Sequence, residues 1–275
     1  RPMADIQTAT ASPALHEPPV IYRADYQPPD WRVETVALEF DLDLSATEVH
    51  ATLAIVRNGD HDRPVRFDCD GALPRSLAVD GQSVNWRTEG SAIAFDLASE
   101  RATVTLTTRI APDTNTQLMG LFASNGMLCT QCEAEGFRRV IPFIDRPDNM
   151  AVYEVLLRAD KQRFPVLLSN GALVESGDLD GGRHFARWRD PHPKPSYLFA
   201  LVAGDLVAHP GRFTTASGRE VALNIWVRPG DEHRCDWGMD SLKRSMDWDE
   251  RVYGREYDLE VFNIVAVDDF NMGAM

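Results

Sequence analysis

No stretch of this 275-residue chain approaches the ~20 consecutive apolar residues that a membrane helix requires, so no spanning helix is expected. Cysteine is sparse. Four residues, at positions 69, 129, 132 and 235, are too few to read as a disulfide scaffold at this length. Basic residues are also in short supply: 28 Lys and Arg face 42 Asp and Glu, for a net charge of −14. Residues 231–260 alone hold ten acids against five bases. Such a balance repels phosphate backbones and anionic lipid, so neither nucleic acid nor a membrane surface is an expected partner. The N-terminal Arg1-Pro2-Met3-Ala4-Asp5-Ile6 lacks the basic-then-apolar order of a signal peptide. The expectation is a cytoplasmic protein. Internal repeats and low-complexity tracts are absent.

What is present is a globular composition, 44% hydrophobic, in a chain long enough for one large or two ordinary domains. Residues 1–30 are rich in Pro, Ala and Thr and read as an extended or partly disordered lead-in. From Trp31 the pattern becomes strand-like. Val36, Leu38, Phe40, Leu42 and Leu44 alternate with polar or small residues, which puts one apolar face on a sheet. Ala51–Val56 reads as a shorter strand. In Leu77–Val84 the pair Asp80-Gly81 supplies the positive φ angles of a tight hairpin. Alternation returns in Val104–Ile110 and Tyr153–Arg158, with further strands expected at Pro165–Ser169, Arg183–Arg189 and Tyr197–Val202. Many short strands punctuated by Gly, Pro and Asp predict a mainly β fold, an antiparallel β-sandwich or saddle over residues 31–205.

After Asp205 the character changes. Arg219–Val227 reads as one more strand. Asp236–Gly254 is the clearest helix, with Met239, Leu242, Met246 and Tyr253 on one face and Gly254 as terminator. Trp237 and Trp248 are expected to pack with that helix. A strand run, Val261–Val267, then leads through Asp268-Asp269 into Phe270-Asn271-Met272-Gly273-Ala274-Met275. Strand followed by helix predicts the start of an α/β domain over 206–275. Cys129-Thr130-Gln131-Cys132 invites a metal or redox reading. A lone C-x-x-C, with no second pair, no His pair nearby and no βαβ setting, is more simply structural.

Several segments, taken in order, resemble the aminopeptidase N family of zinc metallopeptidases, in its bacterial form. They are Thr130 to Gly136, Asp145 to Asp148, Leu168 to Gly171, Lys194 to Asp205, Phe213 to Glu220, Ser245 to Glu250, and the terminal Gly273-Ala274-Met275, which is similar to the start of a Gly-Ala-Met-Glu-Asn motif. Together they span roughly residues 30–275. The resemblance implies a β-saddle domain, then a thermolysin-like catalytic domain beginning near residue 206 and cut before its zinc motif. That motif is His-Glu-x-x-His on a helix, where two His four residues apart share one face. The seven His here stand at 16, 50, 61, 184, 192, 209 and 233, none four apart, and His16-Glu17 runs into Pro18-Pro19. The expectation is therefore the N-terminal portion of a zinc aminopeptidase that releases N-terminal residues from peptides. Zn2+ would belong to the full-length enzyme, and this portion alone would bind no metal and be inactive. Its partners would be peptides with a free N-terminus and the remaining catalytic and C-terminal domains of the same protein. The alternative is a non-catalytic scaffold or interaction module of the same fold.

The resemblance also implies substrate-binding roles. Gln131 and Glu133 match the family's Gln-x-Glu segment, whose carboxylate receives the substrate's terminal ammonium. A fixed carboxylate separates free from blocked amines, because blocking removes charge-assisted hydrogen bonds. Glu135 is a nearby competitor. Gly273, Ala274 and Met275 match the segment that lies along the substrate backbone, where small side chains permit close approach. Met272 would line the pocket for the first side chain, its unbranched thioether adapting to different shapes.

Overall fold

The computed structural model describes residues 20–273, so the early lead-in, Ala274 and Met275 lie outside the described residues. Residues 20–30 run extended apart from one 3-10 turn, Arg23–Asp25. They are moored where Tyr26 Oη donates to Asp148 (2.9 Å) and Arg146 Nη2 donates to the Gln27 carbonyl (2.8 Å).

Strand β1 (Trp31–Asp41) buries Val36, Leu38 and Phe40 on one face, as alternation predicts. It pairs antiparallel with β2 (Thr47–Arg57), which is longer than the expected Ala51–Val56 because the pairing continues to Asp41↔Glu48. The chain leaves this sheet as β3 (Val65–Asp68) and returns as the hairpin β4 (Ser76–Val79) and β5 (Gln82–Ser83). At its tip Asp80 and Gly81 take φ of 50° and 81°, the left-handed pair a two-residue turn requires. Strands β6 (Arg87–Thr88) and β7 (Ala92–Phe95) complete a small sheet with β3, and β8 (Arg101–Ile110) rejoins the large one. The hairpin β9 (Gly120–Ser124) and β10 (Met127–Gln131) follows. Then come β11 (Met150–Asp160), β12 (Val166–Ser169), β13 (Ala172–Leu179), β14 (Arg183–Pro195) and β15 (Leu201–Gly204). The expected strand Tyr197–Val202 begins instead with a 3-10 turn, Ser196–Leu198, so only Leu201 and Val202 of it join a sheet.

The large sheet has the order β13-β14-β11-β1-β2-β8-β4-β5 and is antiparallel except where β11 returns parallel to β1. A four-stranded sheet, β12-β15-β10-β9, packs on it through a common core. Phe137 sits in that core, with its ring edge-on to Phe143 (4.9 Å), Phe199 (5.2 Å) and Tyr153 (6.1 Å). Each such pair adds about 0.5–1.5 kcal/mol beyond burial.

The last part of the chain builds a separate three-stranded sheet from β16 (Val207–Thr214), β17 (Glu220–Val227) and β18 (Val261–Val265), with β18 parallel to β17. Helix α1 (Asp236–Tyr253) lays Met239 and Met246 on it and ends at Gly254, φ 63°. Two expectations for the helix fail. Trp237 and Trp248 are 79% and 46% exposed, because they share the face opposite Met239 and Met246. Tyr253 is also exposed and stacks edge-on against Trp248 at 5.2 Å. Among the described residues the fold is thus mainly β, in largely antiparallel sheets, with one α-helix.

Candidate functional site

Strand β10 carries the chain to Gln131, which is fully buried at its end. A tight turn follows, closed by Gly136 N donating to Cys132 O (2.8 Å), and Phe137–Arg139 then forms one 3-10 turn. Only glycine fits at 136. A Cβ there would stand 2.4 Å from the Gln131 carbonyl oxygen and 2.8 Å from Cys132 Cα. The Glu133–Ala134 peptide within the turn is cis. Gln131 Oε1 accepts from the Glu133 amide at 2.9 Å, so the buried glutamine holds the exposed glutamate by its backbone.

Glu133 opens onto a cleft of about 440 Å³ lined also by Asp68, Glu135, Arg138, Asp145, Arg146 and Tyr197. Four carboxylates meet there. Asp145 Oδ2 takes Arg138 Nε at 3.0 Å, and Arg138 also lies 3.4 Å from Glu135 and 3.7 Å from Asp68. Arg146 is committed to Asp148 at 2.7 Å. Among the described residues Glu133 alone of the four has no basic partner within salt-bridge distance. Burial pushes the Asp68 carboxyl above its usual range, although Arg138 pulls the other way. Burial also opposes the Arg138 charge, but its hydrogen bond to Asp145 and the surrounding carboxylates outweigh this and raise its pKa.

The distant end of the chain reaches the same place. Ser124 Oγ donates to Asp269 Oδ2 (2.9 Å) and accepts from Asp269 N (3.1 Å). Asp268 takes Asn125 Nδ2 at 3.2 Å and also pairs with Arg228. Phe270 packs beside Phe122, and Asn271 Nδ2 donates to the Leu118 carbonyl at 3.1 Å. These contacts lay residues 268–272 along the β9–β10 hairpin and bring Met272 Sδ to Gln131 Nε2.

Of the residues singled out from sequence, Gln131, Glu133 and Met272 are therefore assembled in one place. Both polar ends of Gln131 are turned inward, to Glu133 N and to Met272. Met272 is 38% exposed and so is not a core methionine. Gly273 is exposed, with open space on its Cβ side. Ala274 and Met275 fall outside the described residues. Cys129 packs in the cluster with Phe122 and Leu206, whereas Cys132 packs in the main core with Phe137. Burial pushes the Cys129 thiol up to about 12 and raises Cys132 further, which opposes both metal binding and redox chemistry. Sequence reasoning assigned no role to Arg138, Asp145, Ser196 or Tyr197. The only available signal was that three of them lie in segments carrying the family resemblance.

Comparison with known proteins decides the family. The family model of the peptidase M1 N-terminal domain matches residues 74–198. Aminopeptidase N of Caulobacter vibrioides is 48% identical over 261 residues, 94% of this chain, and that of Escherichia coli is 46% identical over 260. The chain belongs to the peptidase M1 family. A crystal structure of Legionella pneumophila aminopeptidase A in complex with aspartic acid matches 91% of this M1 chain with a TM-score of 0.85 at 33% identity. The chain spans 30% of the length of each of these relatives.

Proposed function

We propose that this chain is the amine-reading part of a zinc aminopeptidase, with Glu133 as the carboxylate that receives a peptide's terminal ammonium. One observation carries the reading. Glu133 is the cleft carboxylate without a basic partner among the described residues, while its competitor Glu135 lies against Arg138. An unpaired carboxylate on an anchored turn is a ready counter-ion for a cation from outside. The names of the M1 relatives supply the substrate class, peptides with a free N-terminus. The Legionella relative was solved with aspartic acid, an α-amino acid with such an amine, which is further support. Met272 and Gly273 would border the substrate's first side chain and backbone.

The described residues of this chain do not fit zinc. No group of three His, Cys, Asp or Glu among the described residues could hold a metal ion, and no two His stand four apart. The zinc ligands and the chemistry they support would lie in the remainder of the longer protein. This part contributes binding and orientation, not bond cleavage. The division near residue 205 belongs to the same proposal, supported by the separate hydrophobic cluster under α1. So does cytoplasmic residence, for which the four unpaired, buried cysteines are the support.

The test is Glu133→Gln in the full-length protein. Loss of a charge-assisted contact is worth about 1.5–3 kcal/mol, or roughly ten- to a hundredfold in kcat/KM on free-amine substrates. Bound zinc and melting temperature should be unchanged. N-acetylated peptides should be poor for both proteins, so the gap between free and blocked substrates narrows. A variant with wild-type kinetics and undiminished discrimination would show Glu133 to be a bystander.

A further inference from the structure

We infer that Asp145 is a positioning residue for Glu133, acting through Arg138 and supported by Ser196; the inference rests on the amine-reading role given to Glu133 above. The side chain of Asp145 is 1% exposed. A carboxylate so placed is tolerated only when its lone pairs are filled. Here Oδ2 accepts from Arg138 N (3.1 Å) and Arg138 Nε (3.0 Å), and Oδ1 accepts from Ser196 Oγ (2.5 Å). The Asp145 carbonyl takes Arg138 Nη2 at 3.0 Å, and its amide donates to Asp68 Oδ2 at 3.3 Å. One buried residue thus ties together the end of β3, the turn after β10, and the Ser196–Leu198 turn.

The geometry gives this tie a specific consequence for Glu133. The turn has two anchors: Gln131 holds its start through the Glu133 amide, and Asp145 holds its end through the Arg138 amide. Glu133 hangs between them, and its placement depends on both. The Arg138 guanidinium, aimed by Asp145, also keeps Glu135 engaged at 3.4 Å, so that it does not compete for an incoming cation. The Ser196 turn is held in its own right. Asn170 Nδ2 donates to Leu198 O (3.0 Å) and Asn170 Oδ1 accepts from Ala200 N (2.7 Å). This gives a physical purpose to Ser169-Asn170-Gly171 and to Lys194–Ala200, which lie within two of the segments that carry the family resemblance.

The experiment uses the full-length protein and an amino-acid 4-nitroanilide. Asp145→Asn and Ser196→Ala are each made alone and together with Glu133→Gln, and KM and kcat are read separately. In the wild-type background both should raise KM by ~3- to 30-fold, the range expected for a buried hydrogen bond, and change kcat by less than about twofold. In the Glu133→Gln background neither should raise KM by more than about twofold, since the group they position has lost its charge. An equal KM penalty in both backgrounds, or a fall in melting temperature with no KM change, would overturn the inference while leaving the role of Glu133 intact. Wild-type kinetics for Glu133→Gln alone would instead remove the underlying reading. Should Asp145→Asn fail to fold, Ser196→Ala decides alone, because it keeps the Asp145 charge and removes only the hydroxyl that fixes Oδ1, loosening the carboxylate that aims Arg138.

Discussion

Lys194 is 7% exposed, with its ammonium 3.9 Å from the centre of the Tyr153 ring and 3.2 Å from Asp190 Oδ2, an ion pair without a well-aligned hydrogen bond. Burial lowers its pKa from 10.5 to about 8, although Asp190 pulls it back up. Between these values the unfolded chain binds more protons than the folded one, so this group makes stability rise with pH from about 8 to 10.5. Below pH 8 both states are charged and the burial penalty is constant. The buried thiols run the other way. Burial keeps Cys129 and Cys132 protonated in the fold, so their contribution is lost as pH rises past about 9. Lys194→Met isolates the first effect. The stability of the wild-type chain relative to this variant should climb by on the order of 2 kcal/mol between about pH 8 and 10. Urea midpoints for both proteins across that range are the measurement, and a flat difference would mean that Lys194 remains charged in the fold.

At the scale of elements, the site depends on how tightly the chain reverses after β10. Gly136 faces main-chain atoms of Gln131, Cys132 and Gly120 at 2.4–3.0 Å, none of which is a flexible side-chain end. Gly136→Ala must open the turn, at about 1–3 kcal/mol for overpacking, and should separate Glu133 N from Gln131 Oε1. Gly126, at the tip of the β9–β10 hairpin, has φ 86° and nothing within 4 Å of where a Cβ would stand, so alanine there brings backbone strain alone, about 1 kcal/mol. Thermal unfolding should rank Gly136→Ala below Gly126→Ala, with faster amide exchange at Glu133 only in the former. Equal melting temperatures would mean that the turn yields more easily than its contacts indicate. Helix α1 teaches a related lesson. Its period placed Met239 and Met246 on one face, but the opposite face also carries large apolar side chains, and only the tertiary packing decided that Trp237 and Trp248 stay out.

At the scale of the whole molecule, an acidic chain of net charge −14 presents a cleft with four carboxylates and two committed arginines, a surface suited to cations. It should bind a peptide amine weakly at most, because the proposed function assigns other groups of the site to the rest of the protein. The 275-residue chain, stripped with chelator and given zinc again, is expected to retain no stoichiometric metal and to leave a chromogenic amino-acid amide intact. Stoichiometric zinc with turnover that survives purification would place an active site within this chain. A full-length protein lacking the zinc helix would turn the proposal toward a binding scaffold of the same fold.

By itself the sequence determined several of the elements and the lineage. Period-two alternation in β1, β8 and β11, the Asp80-Gly81 turn, and α1 with its Gly254 stop are local patterns, set by backbone sterics and by neighbours a few residues away. The segment containing Gln131 and Glu133 was legible for a different reason, as a match of residue types in order. Tertiary structure decided the rest. The parallel return of β11 beside β1, the meeting of Gln131 with Met272 across 141 residues, and the Arg138–Asp145–Ser196 tie have no local signature. A strand's alternation says which face is buried but not which strand lies beside it, and only the assembled sheets with the turns between them bring such distant side chains within hydrogen-bonding reach.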